Sequence, residues 1–147
     1  MSDTKLQNAA LQERPTHEQE QVRLLQVRDQ VRDALASRLG LTDWGQADVG
    51  TTAGCADYPD SDGLTAFLPL LALTGGVPDQ QWAQAVQVVE EVAGEAGFGA
   101  AGTVVDRPGE HEVVLRGERE SLLRFGTLQN ATLRLETGCH LTQSNSS

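Results

Sequence analysis

Two cysteines, three histidines and a run of carboxylates are the residues whose chemistry reaches beyond packing. The run is Asp57-Tyr58-Pro59-Asp60-Ser61-Asp62-Gly63, and alternating carboxylates ahead of a glycine can wrap a hard cation such as calcium. The calcium-loop pattern is not matched. Aligning Gly63 with its glycine puts Tyr58 at the first ligand position and Pro69 at the last, and neither supplies a carboxylate. The segment reads as an acidic turn, with Asp57, Asp60 and Asp62 as a candidate acidic patch and not as metal ligands.

The histidines are His17, His111 and His140. His17 falls in the first turn of an expected helix, His111 at the start of an expected strand, and His140 on the wet face of the last strand. Hydrolytic catalysis needs a nucleophile, a base and a group that orients the base, all converging. No G-x-S-x-G element supplies the nucleophile. The glycines between Gly94 and Gly102 do not follow the strand–glycine–helix order of a phosphate cradle. Trp44, Phe67 and Trp82 read as core. No catalytic residue and no cofactor is expected.

Cys55 lies in the acidic loop and Cys139 on the inward face of the last expected strand. They read either as two unrelated buried thiols in a cytosolic protein or as one disulfide in an exported protein. With only two cysteines there is one pairing, so spacing does not decide. A redox or zinc role lacks its pattern: there is no Cys-x-x-Cys and no histidine at ligand spacing near Cys55.

The elements that must position these residues are clearest at the end of the chain. From residue 131 to 141, Ala131, Leu133, Leu135, Thr137, Cys139 and Leu141 alternate with Thr132, Arg134, Glu136, Gly138 and His140. That is the period-two signature of a strand with one buried face. Val113 and Leu115, then Leu123 and Phe125, repeat it, with Gly117 and Gln129-Asn130 marking turns. The spacing predicts an antiparallel meander whose outer face carries Glu112, Arg116, Arg124, Arg134, Glu136 and His140.

Upstream, Thr16 and Gln19 fit a capping box opening a helix over His17–Leu39, and Gly40 stops it. Its stripe is Leu24, Val27, Val31, Ala34, Leu35 and Leu39. Pro78 and Asp79 open a second helix, with Trp82, Ala85, Val86, Val89, Val92, Ala93 and Ala96 on one face and Gly97 at its end. A strand is expected over residues 100–105, followed by a turn at Pro108-Gly109. Residues 41–73 are weaker: a strand near Trp44, a loop over residues 51–63, and an edge strand over residues 68–73, since Pro69 disfavours a central position. The expected fold class is therefore α+β, an antiparallel sheet with two amphipathic helices covering one face. Residues 1–15 read as a disordered leader or tether, 16–141 as a single domain, and 142–147 as a frayed tail.

Charge is unevenly placed. Residues 39–106 hold ten Asp or Glu and no Lys or Arg, so the net charge of −10 sits in the middle of the chain. Such a surface keeps a protein soluble, and it also suits a basic protein partner. Nucleic acid is excluded, because phosphate binding needs a basic footprint. No apolar run is long enough to span a membrane.

The early amphipathic helix, Trp44, the Cys55 loop, the helix ending in Glu95-Ala96-Gly97-Phe98-Gly99, and Ala131-Thr132-Leu133 leading to Cys139 and Leu141 together resemble the LppA-type lipoproteins of the actinobacterial cell envelope. The likeness covers most of residues 15–141. It implies an exported, extracytoplasmic protein with Cys55 and Cys139 paired. It also implies a precursor with a signal peptide and a lipidated cysteine, so that the membrane is met only through a lipid anchor absent from this chain. It brings no catalytic motif and no molecular function. The expected function is a non-enzymatic binding or interaction module. The alternatives are a hydrolase-like enzyme with a loop-built site and a cytosolic acidic protein that binds a basic partner.

Overall fold

Alternation in the last third of the chain builds a meander of four antiparallel strands, β5 (Gly102–Arg107), β6 (Glu110–Arg116), β7 (Leu122–Thr127) and β8 (Ala131–Glu136). These and the elements below come from a computed structural model that describes residues 2–145. The register stacks the inward residues in rows: Val113, Phe125 and Leu133 lie side by side, and so do Leu115, Leu123 and Leu135. All six are buried. Gly109, with a φ of 79°, closes the Pro108-Gly109 turn as expected.

Beyond β8 the sheet continues through four short strands: β1 (Trp44–Gln46), β2 (Thr51–Gly54), β3 (Leu64–Phe67) and β4 (Leu71–Leu73). β4 and β3 both pair with β8, β1 pairs with β4, and β2 pairs with β3. The arrangement amounts to two long strands, each broken once. This corrects two expectations. Residues 51–63 are not all loop, because β2 lies within them. The strand over residues 68–73 is not an edge, because β4 sits between β1 and β8. Pro69 stands in the break between β3 and β4, where no ladder bond is asked of it.

Asp48 staples the two breaks together. Its Oδ1 accepts from the backbone N–H of Gly50 at 3.0 Å and of Leu70 at 2.9 Å, while Oδ2 pairs with Arg134. One side chain thereby satisfies donors that the interrupted ladders leave over.

Two helices cover the inner face. α1 (Asp3–Leu11) is described below; α2 (His17–Leu39) opens with the Thr16–Gln19 capping box and ends at left-handed Gly40, as its sequence predicts. Leu24, Val27, Val31 and Leu35 of α2 meet Trp82, Ala85, Val89 and Ala93 of α3 (Asp79–Gly94) over the rows of the meander. Pro78 caps α3 and does not enter its first turn. The outer face is wet and holds the diagonal pair Arg124–Glu136 at 2.8 Å.

The face assignment has a direct test. Leu133 is fully buried and its neighbour Thr132 is exposed. Leu133→Asp should cost about 4 kcal/mol or more by burying an unpaired charge. Thr132→Asp should stay within about 0.5 kcal/mol of wild type. Thermal melts in which the two variants lose stability equally would overturn the assignment.

Candidate functional site

After Glu136 the regular ladder ends, although the chain still bonds to Leu64 and Ala66 of β3, and the polar chemistry gathers there. Cys139 bonds Cys55, with the Cα atoms 5.6 Å apart and a sequence separation of 84. Leu11, Leu141 and Tyr58 pack against the disulfide to form a second small apolar cluster. Gly63 lies so close that a Cβ there would meet the Cys139 sulfur at 2.5 Å.

Leu11 belongs to α1, so the segment expected to be a disordered leader is instead a docked helix. Ser2 caps it, accepting from the Lys5 N–H at 3.2 Å. Its contacts with the acidic loop are polar and specific. Asn8 donates to the Asp62 carboxylate at 2.8 Å and accepts from the Asp62 N–H at 2.9 Å. Gln7 accepts from the Asp60 N–H at 2.8 Å. Arg14, just past the helix, forks onto both oxygens of Glu120 at 2.8 and 3.0 Å and reaches the Cys139 carbonyl and the Tyr58 hydroxyl, each at 3.1 Å. Of the candidate patch, then, Asp62 holds α1 through its carboxylate and backbone N–H and Asp60 through its backbone N–H alone, while Asp57 is exposed beside the disulfide. Among the described residues no cluster of His, Cys, Asp or Glu is placed to hold a metal ion.

Glu120 is presented by an unusual turn. Arg119 and Glu120 both take positive φ, 53° and 62°, at a cost of about 1–2 kcal/mol each. The Arg119 carbonyl presses onto Gly138, where any Cβ would collide with it. Strain of this kind persists only where surrounding contacts fix it. Here they are Arg14 on Glu120 and the neighbourhood of Glu20.

His140 contradicts the expectation of a solvent-facing side chain: it is fully buried. Its backbone bridges to Leu64, and its Nδ1 lies 2.8 Å from the Pro15 carbonyl. A carbonyl only accepts, so Nδ1 carries the proton. Nε2 faces the Glu20 carboxylate at 3.6 Å. Burial lowers the pKa of His140, with Arg14 and Arg119 adding to the effect against the pull of Pro15 and Glu20, so the ring is neutral near pH 7. Glu20 is also fully buried. Burial would raise its pKa, but the hydrogen bonds and charge of Arg23, aided by Arg119, hold it below the ordinary value. The sequence signal for this cluster was the Glu20–Arg23 spacing on α2, an i,i+3 ion pair with its acid turned inward.

His111 sits near the other end of the strands. It is buried, stacked on Trp82 with ring centroids 5.1 Å apart, and lies between Asp79 at 2.7 Å and Asp106 at 2.8 Å. Two carboxylates can both be served only by an imidazolium. Desolvation opposes protonation, but hydrogen bonds to Asp79 and Asp106 and their charges outweigh it, and the His111 pKa is raised. His111 and His140 do not meet, since their registers place them toward opposite ends of the sheet. Among the described residues no hydroxyl or thiol hydrogen-bonds to any histidine ring.

Outside the buried groups, a cleft of about 220 Å³ opens beside the disulfide, bordered by Asp57, Thr65, Glu120, Glu136 and Gly138. Glu120 and Glu136 are already paired with Arg14 and Arg124.

Comparison with known proteins adds the following. Residues 2–143 match the LppA family model, described as a lipoprotein confined to pathogenic Mycobacterium. The fold is similar to the crystal structure of lipoprotein LppA from Mycobacterium tuberculosis, with a TM-score of 0.79, 15% identity, and coverage of 98% of this chain and 88% of that one. It is also similar to a DUF4853 family protein from Actinomyces odontolyticus, with a TM-score of 0.65 and 15% identity over 89% of this chain and 72% of that one. No curated protein matches the sequence.

Two expectations follow from the geometry. Reducing the disulfide should remove about 4–5 kcal/mol by the loop-entropy relation. That corresponds to a fall in Tm on the order of 10 °C. Amide exchange should accelerate first in α1 and residues 55–63, which share the disulfide cluster; uniform acceleration across the fold would contradict the docking described. The His111 pair predicts a pH signature. A raised histidine pKa stabilises fully below the ordinary value of about 6.5 and loses its effect as pH rises through the folded value. Asp79, whose pKa the hydrogen bond from His111 lowers, contributes above about pH 4 and loses its effect on acidification. The Tm difference between wild type and His111→Gln should be greatest near pH 5–6 and shrink toward pH 9; a difference that grows with pH would show that the ring is neutral.

Proposed function

Because the chain belongs to the LppA family of lipoproteins, we propose that it is the extracytoplasmic domain of an envelope-anchored actinobacterial lipoprotein and acts as a non-enzymatic binding module for a basic partner. The observation that carries the location is the Cys55–Cys139 bond. Disulfides persist in oxidising compartments and are rare where thioredoxin and glutathione act, which disfavours the cytosolic alternative. A lipid anchor, as in a lipoprotein precursor, would attach it to the membrane; no helix among the described residues is long and apolar enough to cross one.

Binding is favoured over hydrolysis by the kind of polar groups available. The buried acid Glu20 is committed to Arg23, and His111 to two carboxylates. The charged side chains of residues 39–106 are all acidic, since that segment carries no Lys or Arg. Long-range attraction from such a surface speeds encounter with cations and weakens with salt.

The test uses the oxidised domain immobilised on a sensor, with poly-L-lysine and poly-L-glutamate as probes. Poly-L-lysine should associate, with an on-rate falling about tenfold between low and physiological salt. Poly-L-glutamate should not bind. Salt-insensitive association, or none, would remove the acidic surface from the reading. In native cells, free Cys55 and Cys139 thiols in the soluble fraction would remove the location.

A further inference from the structure

One edge of the sheet is open and undefended, and we propose that it takes up an extended lysine- or arginine-containing peptide segment as an added strand along β2. This rests on the binding reading above and names the element that binds.

The sheet has two edges, and they differ in kind. β5 is blunted: its register with β6 slips between Thr103 and Val105, and Asp106 and Arg107 lead into Pro108. Bulges, charges, proline and shortness are the usual protections against edge pairing. β2 is short, at four residues, but has none of the others. Its sequence is Thr51-Thr52-Ala53-Gly54, its pairing with β3 is regular, and all four residues are exposed. β3 uses one side of its backbone; among the described residues no strand lies along the other. Val49, 85% exposed just before the strand, offers an apolar contact at one end.

Charge selects the occupant. At the other end of β2 lies the cleft beside the disulfide, where Glu120 and Glu136 are paired with Arg14 and Arg124 and Asp57 is in no ion pair among the described residues. Ala53 and Thr65 are register partners and so share a face, and Thr65 lines the cleft. An added strand would lie about 5 Å from β2. A long basic side chain crossing the small residues Ala53 and Gly54 would arrive over Asp57. Backbone bonds would supply affinity and this side chain selectivity. A second copy is the poorer occupant, because it would bring another acidic segment against this one.

The experiment is a titration of the ¹⁵N-labelled oxidised domain with a blocked hexapeptide alternating valine and lysine. The amides of Thr52 and Gly54, which point away from β3, should become slow to exchange, and Val49 and Thr65 should shift. Thr52→Pro, with its fold checked by melting, should weaken binding about tenfold, through lost backbone pairing. Thr52→Lys and Asp57→Lys, both at exposed positions, should weaken it comparably, while Val104→Lys on the opposite edge should leave it unchanged. Binding insensitive to both Thr52 variants yet lost in Asp57→Lys would overturn the edge and leave the acidic surface standing. Equal binding of a valine–glutamate hexapeptide would overturn the cationic selectivity. A concentration-dependent dimer protected at residues 51–54 would assign the edge to a second copy and overturn the proposal. Absence of saturable binding would overturn it outright, and failure of poly-L-lysine as well would take the binding reading with it.

Discussion

Where the chain goes after Glu136 constrains most of what surrounds it. Five residues, Thr137 to Leu141, leave the regular sheet and carry their own backbone groups and buried side chains. Each need is met by a different part of the molecule. The Thr137 N–H donates to the Ala66 carbonyl, the Thr137 hydroxyl accepts from the Ala66 N–H, and His140 exchanges bonds with Leu64. Arg14 holds the Cys139 carbonyl, Pro15 accepts from His140, and the His17 N–H donates to the Leu141 carbonyl. Because buried backbone groups must be paired, the ends of α1 and α2 and the loop after β2 are fixed by one short segment.

The same segment explains where sequence reasoning stops. Alternation through residue 141 puts Cys139 and Leu141 inward correctly, but it also turns His140 outward. The register with β3 slips there by one residue, from Phe67 opposite Glu136 to Leu64 opposite His140, and Glu20, Arg119 and Pro15 enclose the ring. The last visible residues follow the same pattern: Gln143 is held by Glu18 at 2.8 Å, whereas Ser146 and Ser147 of the expected tail lie outside the described residues.

Elements that bury a wide apolar stripe were legible. α2 is right to its caps, and the rows of the meander follow the period-two pattern. α1 was missed because it buries one apolar residue, Leu11, and docks through Gln7, Asn8 and the nearby Arg14, whose polar bonds leave no periodicity. β2 was missed because all its side chains are exposed, so nothing in its composition distinguishes it from loop. The acidic loop was legible as a cluster, but not its division of labour. The one carboxylate of the loop that α1 takes up, Asp62, is bonded by Asn8, more than fifty positions away.

The disulfide also divides the molecule as a covalent object. Cys55 and Cys139 close a ring that contains β3, β4, α3 and the whole meander, while α1, α2, β1 and β2 form an arm outside it. A peptide bond cut anywhere inside the ring leaves its two pieces joined through sulfur and still zipped across the sheet. A cut in the arm frees everything upstream of it, including any tether attached there. A cut between α1 and α2 would part α1 covalently from α2 and the sheet, while the disulfide would still close the ring behind it.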